Sequence, residues 1–348
     1  MVDVSKACSE LRTIWWDRGS VIIIDQRLLP HKLKYLRLKS YVEVAKAIKN
    51  MVIRGAPAIG VAAAMGLALA VVNLKTNNRE ILMNRLEKAA DTIRSTRPTA
   101  VNLFWAIDRV MEVARETSSV EELKKKVLEE ALKMAEEDVE VNKMIGEHGS
   151  KLIEDGDRIL THCNAGALAT VGYGTALGII RTAYKQGKKI TVYASETRPR
   201  LQGAKLTVWE LLREHIPVKL ITDNMAAFLM QRGEISKVIV GADRIIAKTG
   251  HVINKIGTLS HAIAAKYYGV PFIVAAPVSS IDFKNVLEEV VIEERDVREV
   301  LYIDNVRIAP KGVEAINPAF DITPPELVSY IVTERGIFKP SELRELCK

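Results

Sequence analysis

Two hydrophobic rhythms divide the chain. As far as Met144, apolar residues recur mostly every three or four positions, the spacing of an amphipathic helix. Beyond Arg158 they gather into short β-branched runs with helical stretches between them. The first rhythm predicts helices over Tyr41–Val52, Ala58–Val72, Arg79–Ser95 and Ala100–Arg115, the last capped by Thr99 after the break at Pro98. Ahead of them, Thr13–Ile24 reads as a small hairpin turning at Asp17-Arg18-Gly19. Ser119, with Glu122 as its capping-box partner, opens a long charged helix whose apolar stripe runs through Leu123, Val127, Leu128, Ala131, Leu132 and Met134. The expected division is a mainly α-helical N-terminal domain with a small β-hairpin over 1–125, joined by this helix to a C-terminal domain over 126–348.

The second rhythm predicts strands at Ile159–His162, Ile190–Ala194, Val218–Thr222, Lys237–Val240 and Phe272–Ala275, with Val300–Ile303 as an added edge strand. Buried runs alternating with helices imply an α/β domain built on a Rossmann-like, doubly wound parallel sheet. Just after the runs stand Cys163-Asn164, Glu196-Thr197-Arg198, Asp223-Asn224, Gly241-Ala242-Asp243-Arg244 and Pro277. Ligands of such sheets bind beyond the carboxyl ends of the strands, so the able residues collect at the ligand edge.

Composition narrows the choice of partners. The net charge of +7 is spread along the chain, without the clustered basic run and interleaved aromatics that nucleic-acid binding needs. Cys8, Cys163 and Cys347 lie far apart, which points to a reducing cytoplasm and no disulfide framework. The N-terminus lacks an apolar signal core, and the apolar stretch Ala56–Val72 is interrupted by Pro57, Gly60 and Gly66, so a buried helix is expected and no membrane partner.

The most suggestive segment is Arg158–Gly178, a short apolar run followed by His162, Cys163, Asn164 and a glycine-rich stretch. It reads as a strand turning directly into a closely packed helix, whose positive end would favour an anion and lower the Cys163 pKa. His162 cannot pair with its neighbour if the strand continues, because adjacent strand residues face opposite ways. The six histidines are scattered without metal-ligand spacing, so no metal is expected. Cys163 is either reactive or packed.

Asp243 follows a buried run and is either a proton donor with a raised pKa, a helix N-cap, or the partner of Arg244. Asn254 and Lys255 lead towards a helix start where amides and an ammonium could hold phosphate. Gln202 is a loop amide of open role. In the first half, Arg54, Gly55 and Ala56 precede the alanine-rich helix, and Arg97 offers a second cation; each suits a phosphate or a surface ion pair. A dinucleotide site at Gly172-Tyr173-Gly174 is disfavoured, because Leu177 stands where the third glycine belongs.

Together, IRGAPAIG at 53–60, THCNAGALATVGYGTALG at 161–178, SETRPRLQGAKLT at 195–207, ITDNMAAFLM at 221–230, GADRI at 241–245 and NKIGT at 254–258 resemble the methylthioribose-1-phosphate isomerase family. The late segments IEERDVREV at 292–300 and NPAFDITPPELVSYIVTERG at 317–336 extend the likeness over nearly the whole chain. That superfamily includes the regulatory subunits of translation initiation factor 2B and ribose-1,5-bisphosphate isomerase. The resemblance implies Cys163 as the base at C2 of a sugar phosphate and Asp243 as proton donor. It implies Arg54, Gly55, Ala56, Arg97, Gln202, Asn254 and Lys255 as substrate-binding residues, with the two arginines reaching across from the helical domain. It implies no cofactor, a homodimer formed through the C-terminal domain, and a place in methionine salvage. Ser195 and the stretch Ala247-Lys248-Thr249-Gly250-His251 depart from the family pattern, which leaves room for another ribose 1-phosphate, including the 1,5-bisphosphate; the alternative of a different class is a non-catalytic regulatory subunit.

Overall fold

In the computed structural model, which describes residues 11–97 and 100–347, the chain divides into two units. One comprises Met1–Lys143 with Gly166–Gly174, the other Met144–Ala165 with Thr175–Lys348. Thr99 and Cys8 lie outside the described residues.

The first unit begins with β1 (Ile14–Asp17) and β2 (Ser20–Ile24), the expected hairpin, and adds β3 (Tyr35–Leu38) as a third antiparallel strand. Helices α1 (Tyr41–Lys49), α2 (Ala56–Val72), α3 (Arg79–Arg94) and α4 (Val101–Arg115) follow. Helix α2 is apolar on every face, and it is accordingly central, packing against α1, α3 and α4. Pro57 sits in its first turn, where a missing N–H costs nothing. The long helix α5 (Val120–Ser150) carries the chain from one unit to the other, six residues beyond the expected end at Met144. The sequence-based boundary at 125 falls within it.

The second unit alternates strands and helices: β4 (Arg158–Thr161), α6 (Ala176–Lys185), β5 (Thr191–Ser195), α7 (Val208–Arg213), β6 (Val218–Ile221), α8 (Ala226–Gln231) and β7 (Lys237–Val240). A hairpin of β8 (Arg244–Ile246) and β9 (Val252–Lys255) precedes α9 (Thr258–Tyr267) and β10 (Phe272–Ala275). Then come β11 (Ile281–Asp282), α10 (Arg298–Leu301), β12 (Tyr302–Ile303), β13 (Val306–Arg307), β14 (Phe320–Thr323), β15 (Tyr330–Thr333) and β16 (Gly336–Phe338). The main sheet has the order β16-β15-β10-β7-β4-β5-β6, parallel except for β16. A smaller sheet runs β11-β8-β9-β14. Five predicted runs are thus strands of one sheet. Val300–Ile303 is not its edge: it ends helix α10 and enters the separate hairpin β12–β13. The position flanking β10 goes to Tyr330–Thr333 instead, a β-branched run with no exposed residue.

Strand β4 does not turn directly into a helix. Residues 166–174 leave the second unit and dock in the first, where Thr13 Oγ1 donates to Ala167 O at 2.7 Å and Gln26 Nε2 to Leu168 O at 2.7 Å. The Val171 N–H donates to Asp138 Oδ2 at 2.7 Å in the same unit. Gly174, at φ +84°, closes this excursion: a Cβ there would lie 2.4 Å from Gly166 Cα. Gly174 therefore lets the two ends of the loop cross.

Candidate active site

The order of the main sheet creates a switch point. From β4 the chain moves outward through β5 and β6, then returns to β7 on the other side of β4 and proceeds to β10. A crevice opens where two successive connections diverge, above the carboxyl ends of the flanking strands. Cys163 follows β4 and Asp243 follows β7. Their turns meet at Gly241, where a Cβ would lie 2.7 Å from that of Ala165, so only glycine lets the two turns pack so closely.

Cys163 is buried, with φ +63°, in the left-handed region that side-chain-bearing residues seldom adopt. Its N–H donates to Thr197 Oγ1 at 2.8 Å, and its carbonyl accepts from Thr207 Oγ1 at 2.6 Å. Gln202 Nε2 lies 3.4 Å from the sulfur, while the buried Gln202 Oε1 has no hydrogen-bond partner among the described residues. The expectation of a thiol at a helix start is not met. A 3-10 turn, Ala167–Ala169, comes first, and α6 begins only at Ala176, where the Leu177 N–H donates back to Ala165 O at 3.2 Å.

Asp243 is half-buried and opens the β8–β9 hairpin, its N–H donating to Ile253 O at 3.0 Å. It caps no helix, because a strand follows; Arg244 pairs with Asp282, at 3.7 Å. The hairpin register matches Arg244 with Ile253 and Ile245 with Val252, and Asp243 stands just before the first pair. Asn254 Nδ2 donates to Thr258 Oγ1 at 3.0 Å. The buried Lys255 Nζ donates to Ala319 O at 2.9 Å and lies 4.2 Å from the centre of the Phe320 ring. The amides at the start of α9, expected to receive phosphate, are taken by protein: Asp321 Oδ2 accepts from Gly257 N–H at 2.7 Å and Leu259 N–H at 3.1 Å. Burial holds the Asp321 carboxyl up at about 6 despite those bonds.

His162 points away from this chemistry. Its Nε2 donates to Ile256 O at 2.9 Å, so Nδ1 is the acceptor for Ser195 Oγ at 2.7 Å and His261 Nε2 at 3.2 Å. Ser195, one of the family departures, is thus committed to this relay. Burial pushes His162 down to about 4 and His261 to about 3, so both rings are neutral near pH 7. With Asp223 they form a cluster whose possible ligand atoms lie within 4.8 Å of one another. Asp223 spends both oxygens on the Thr197 and Arg198 N–H groups, at 2.8 and 2.7 Å, and the cluster reads as a hydrogen-bond relay. Sequence spacing could not reveal the two histidines as neighbours, since 98 residues intervene.

Cys163, Gln202, Asp243, Asn254 and Lys255 all belong to the second unit. Arg54, Gly55, Ala56 and Arg97 belong to the first. There Gly55, at φ +96°, caps α2, and a Cβ on it would lie 2.3 Å from Ala169 O. Arg97 Nη1 lies 3.4 Å from Met51 Sδ, beside the turn that leads to Arg54.

The fold is that of a Rossmann-like α/β protein, with Cys163 and Asp243 following the two strands that flank its switch point. The chain belongs to the initiation factor 2 subunit family, whose sequence profile matches residues 52–340. It is 53% identical to the methylthioribose-1-phosphate isomerase of Acetivibrio thermocellus, over 95% of this chain and 97% of that one. The crystal structure of 5-methylthioribose 1-phosphate isomerase from Pyrococcus horikoshii matches with a TM-score of 0.90 and 45% identity, covering 97% of this chain and 94% of that one. That of translation initiation factor eIF-2B subunit delta from A. fulgidus matches with a TM-score of 0.86 and 49% identity, covering 95% and 97%. No helix among the described residues is long and apolar enough to cross a membrane.

Proposed function

We propose that this chain is an aldose–ketose isomerase that converts 5-methylthio-α-D-ribose 1-phosphate to 5-methylthio-D-ribulose 1-phosphate, a step of methionine salvage. The phosphate on O1 prevents simple opening to an aldehyde, so an acid must assist cleavage of the C1–O4 bond. In the net reaction the hydrogen on C2 ends on C1, and the proton of the O2 hydroxyl replaces the lost ring bond at O4. Asp243 serves as the proton donor and shuttle between the two oxygens, and Cys163 handles the hydrogen at C2. Gln202, Asn254 and Lys255, with Arg54, Gly55, Ala56 and Arg97, are assigned to binding the sugar phosphate. These residues need no metal or organic group for that task.

The observation that carries this reading is the placement of Cys163 and Asp243 after the two strands that flank the switch point, with their turns packed at Gly241. The same reading puts the enzyme in the cytoplasm as a homodimer. The exposed apolar residues Phe228 on α8 and Ile263 and Tyr267 on α9 support a partner surface on the second unit.

The test is turnover by the purified chain of 5-methylthioribose 1-phosphate beside ribose 1,5-bisphosphate. Preferred conversion of the first supports the assignment. Preference for the bisphosphate moves it to the sister isomerase, and inactivity on both favours a regulatory subunit of the translation-factor type.

A further inference from the structure

Cys163 and Thr197 are both left-handed, at φ +63° and +65°, and a hydrogen bond joins them. Such a conformation is uncommon for any residue with a side chain and more so for a β-branched one. It persists only where surrounding bonds fix it, and such positions cluster at functional sites. The two backbone groups of Cys163 are each held by a threonine hydroxyl from a different stretch of chain. Thr197 follows β5; Thr207 ends the helical turn that begins just after Gln202.

We propose that Thr197 and Thr207 are positioning residues whose hydroxyls clamp the peptide of Cys163 and so aim its thiol, an inference that rests on Cys163 being the reacting group of the isomerase. Thr197 Oγ1 accepts the Cys163 N–H at 2.8 Å and donates to Ser195 O at 3.1 Å. Thr207 Oγ1 donates to Cys163 O at 2.6 Å and accepts from Asn164 Nδ2 at 3.2 Å. Both threonines are buried and held in turn, Thr197 by its N–H on Asp223 Oδ1 at 2.8 Å and Asn164 by Glu210 Oε1 at 2.9 Å. With its N–H and C=O both bonded, the two peptide units that flank Cys163 are held, and its sulfur lies 3.4 Å from Gln202 Nε2. Water cannot replace either hydroxyl without entering a closed network. Valine keeps the shape of threonine but strands one polar group of the Cys163 peptide, whereas serine restores the bond.

The experiment compares Thr197→Val, Thr207→Val and the two serine variants in the full chain. It measures kcat and KM for 5-methylthioribose 1-phosphate. It also follows the pH dependence of Cys163 alkylation by iodoacetamide, located by peptide mass spectrometry, and the thermal midpoint. The valine variants should lose about tenfold or more in kcat with KM changed less than about twofold, and their alkylation profile should shift. The serine variants should recover most of kcat and the original profile. If Thr197→Val does not fold, Thr207→Val reads the clamp from the carbonyl side. Valine variants with unchanged kcat and profile, or serine variants that fail to recover, overturn the proposal. A shifted alkylation profile in a chain whose wild type does not turn the substrate over sinks the isomerase reading and leaves the clamp standing.

Discussion

Replacing His162 by glutamine should flatten the acid side of the stability curve. The ring lies in the interior, where burial first and the nearby Lys255 charge second push it down to about 4, against the opposing bond to Ile256 O. In the unfolded chain the same imidazole titrates near 6.5. The unfolded state therefore binds a proton below about pH 6.5, and the native state resists until about pH 4. Native stability is thus full above the upper value and falls as the pH drops through that window. Moving from pH 7 to pH 4.5, His162 alone removes about 2.5 kcal/mol. His261, pushed to about 3 by burial and by its neighbour His162, acts in the same direction, so the wild type should lose more than that. Glutamine retains a donor and an acceptor without a titrating group. Urea unfolding at pH 7 and 4.5 should show the variant losing ~2–3 kcal/mol less than the wild type across that interval. Equal losses in the two proteins would show that the buried ring does not resist protonation, and the neutral relay behind Cys163 would have to be abandoned.

Asp321 predicts the opposite slope: its carboxyl, held up at about 6, makes stability fall as pH rises from about 4 through 6, and Asp321→Asn should remove that decline in urea midpoints. An Asp321→Asn protein with an unaltered decline would contradict it. Gly55→Ala sets a Cβ 2.3 Å from Ala169 O at a left-handed position and should destabilise the first unit by ~3 kcal/mol or more in thermal unfolding, where an unchanged midpoint would count against it. Arg97→Ala should raise KM for the sugar phosphate about tenfold to a hundredfold by removing a charge-assisted bond, with kcat less affected; a KM within error of wild type would exclude Arg97 from binding.

Much of the second unit was legible because local chemistry and burial agree there. A strand buried on both faces must be short, apolar and rich in β-branched residues, and the runs Ile159–His162, Ile190–Ala194, Lys237–Val240 and Phe272–Ala275 advertise that directly, while Val218–Thr222 forms the sheet edge with Lys219 and Leu220 exposed. Cys163 and Asp243 stand out as candidates for the same reason: each follows such a run. What the pattern does not contain is the order of strands. Tyr330–Thr333 takes the place beside β10, and nothing local to those residues distinguishes that position from an isolated strand. The excursion at 166–174 was misread because its small residues and glycines suit a tight strand–helix junction as well as a loop docking elsewhere. The Asp321 cap on α9 and the Thr197–Cys163–Thr207 clamp are pairings across 34 to 64 residues, set by topology and invisible to periodicity.

The most direct measurement is the turnover number of the wild-type chain and of Cys163→Ala and Asp243→Asn on 5-methylthioribose 1-phosphate, with folding of all three checked by circular dichroism. Measurable isomerisation by the wild type and a loss of about a hundredfold or more in each variant are expected. Wild-type rates in both folded variants would contradict the roles assigned to Cys163 and Asp243.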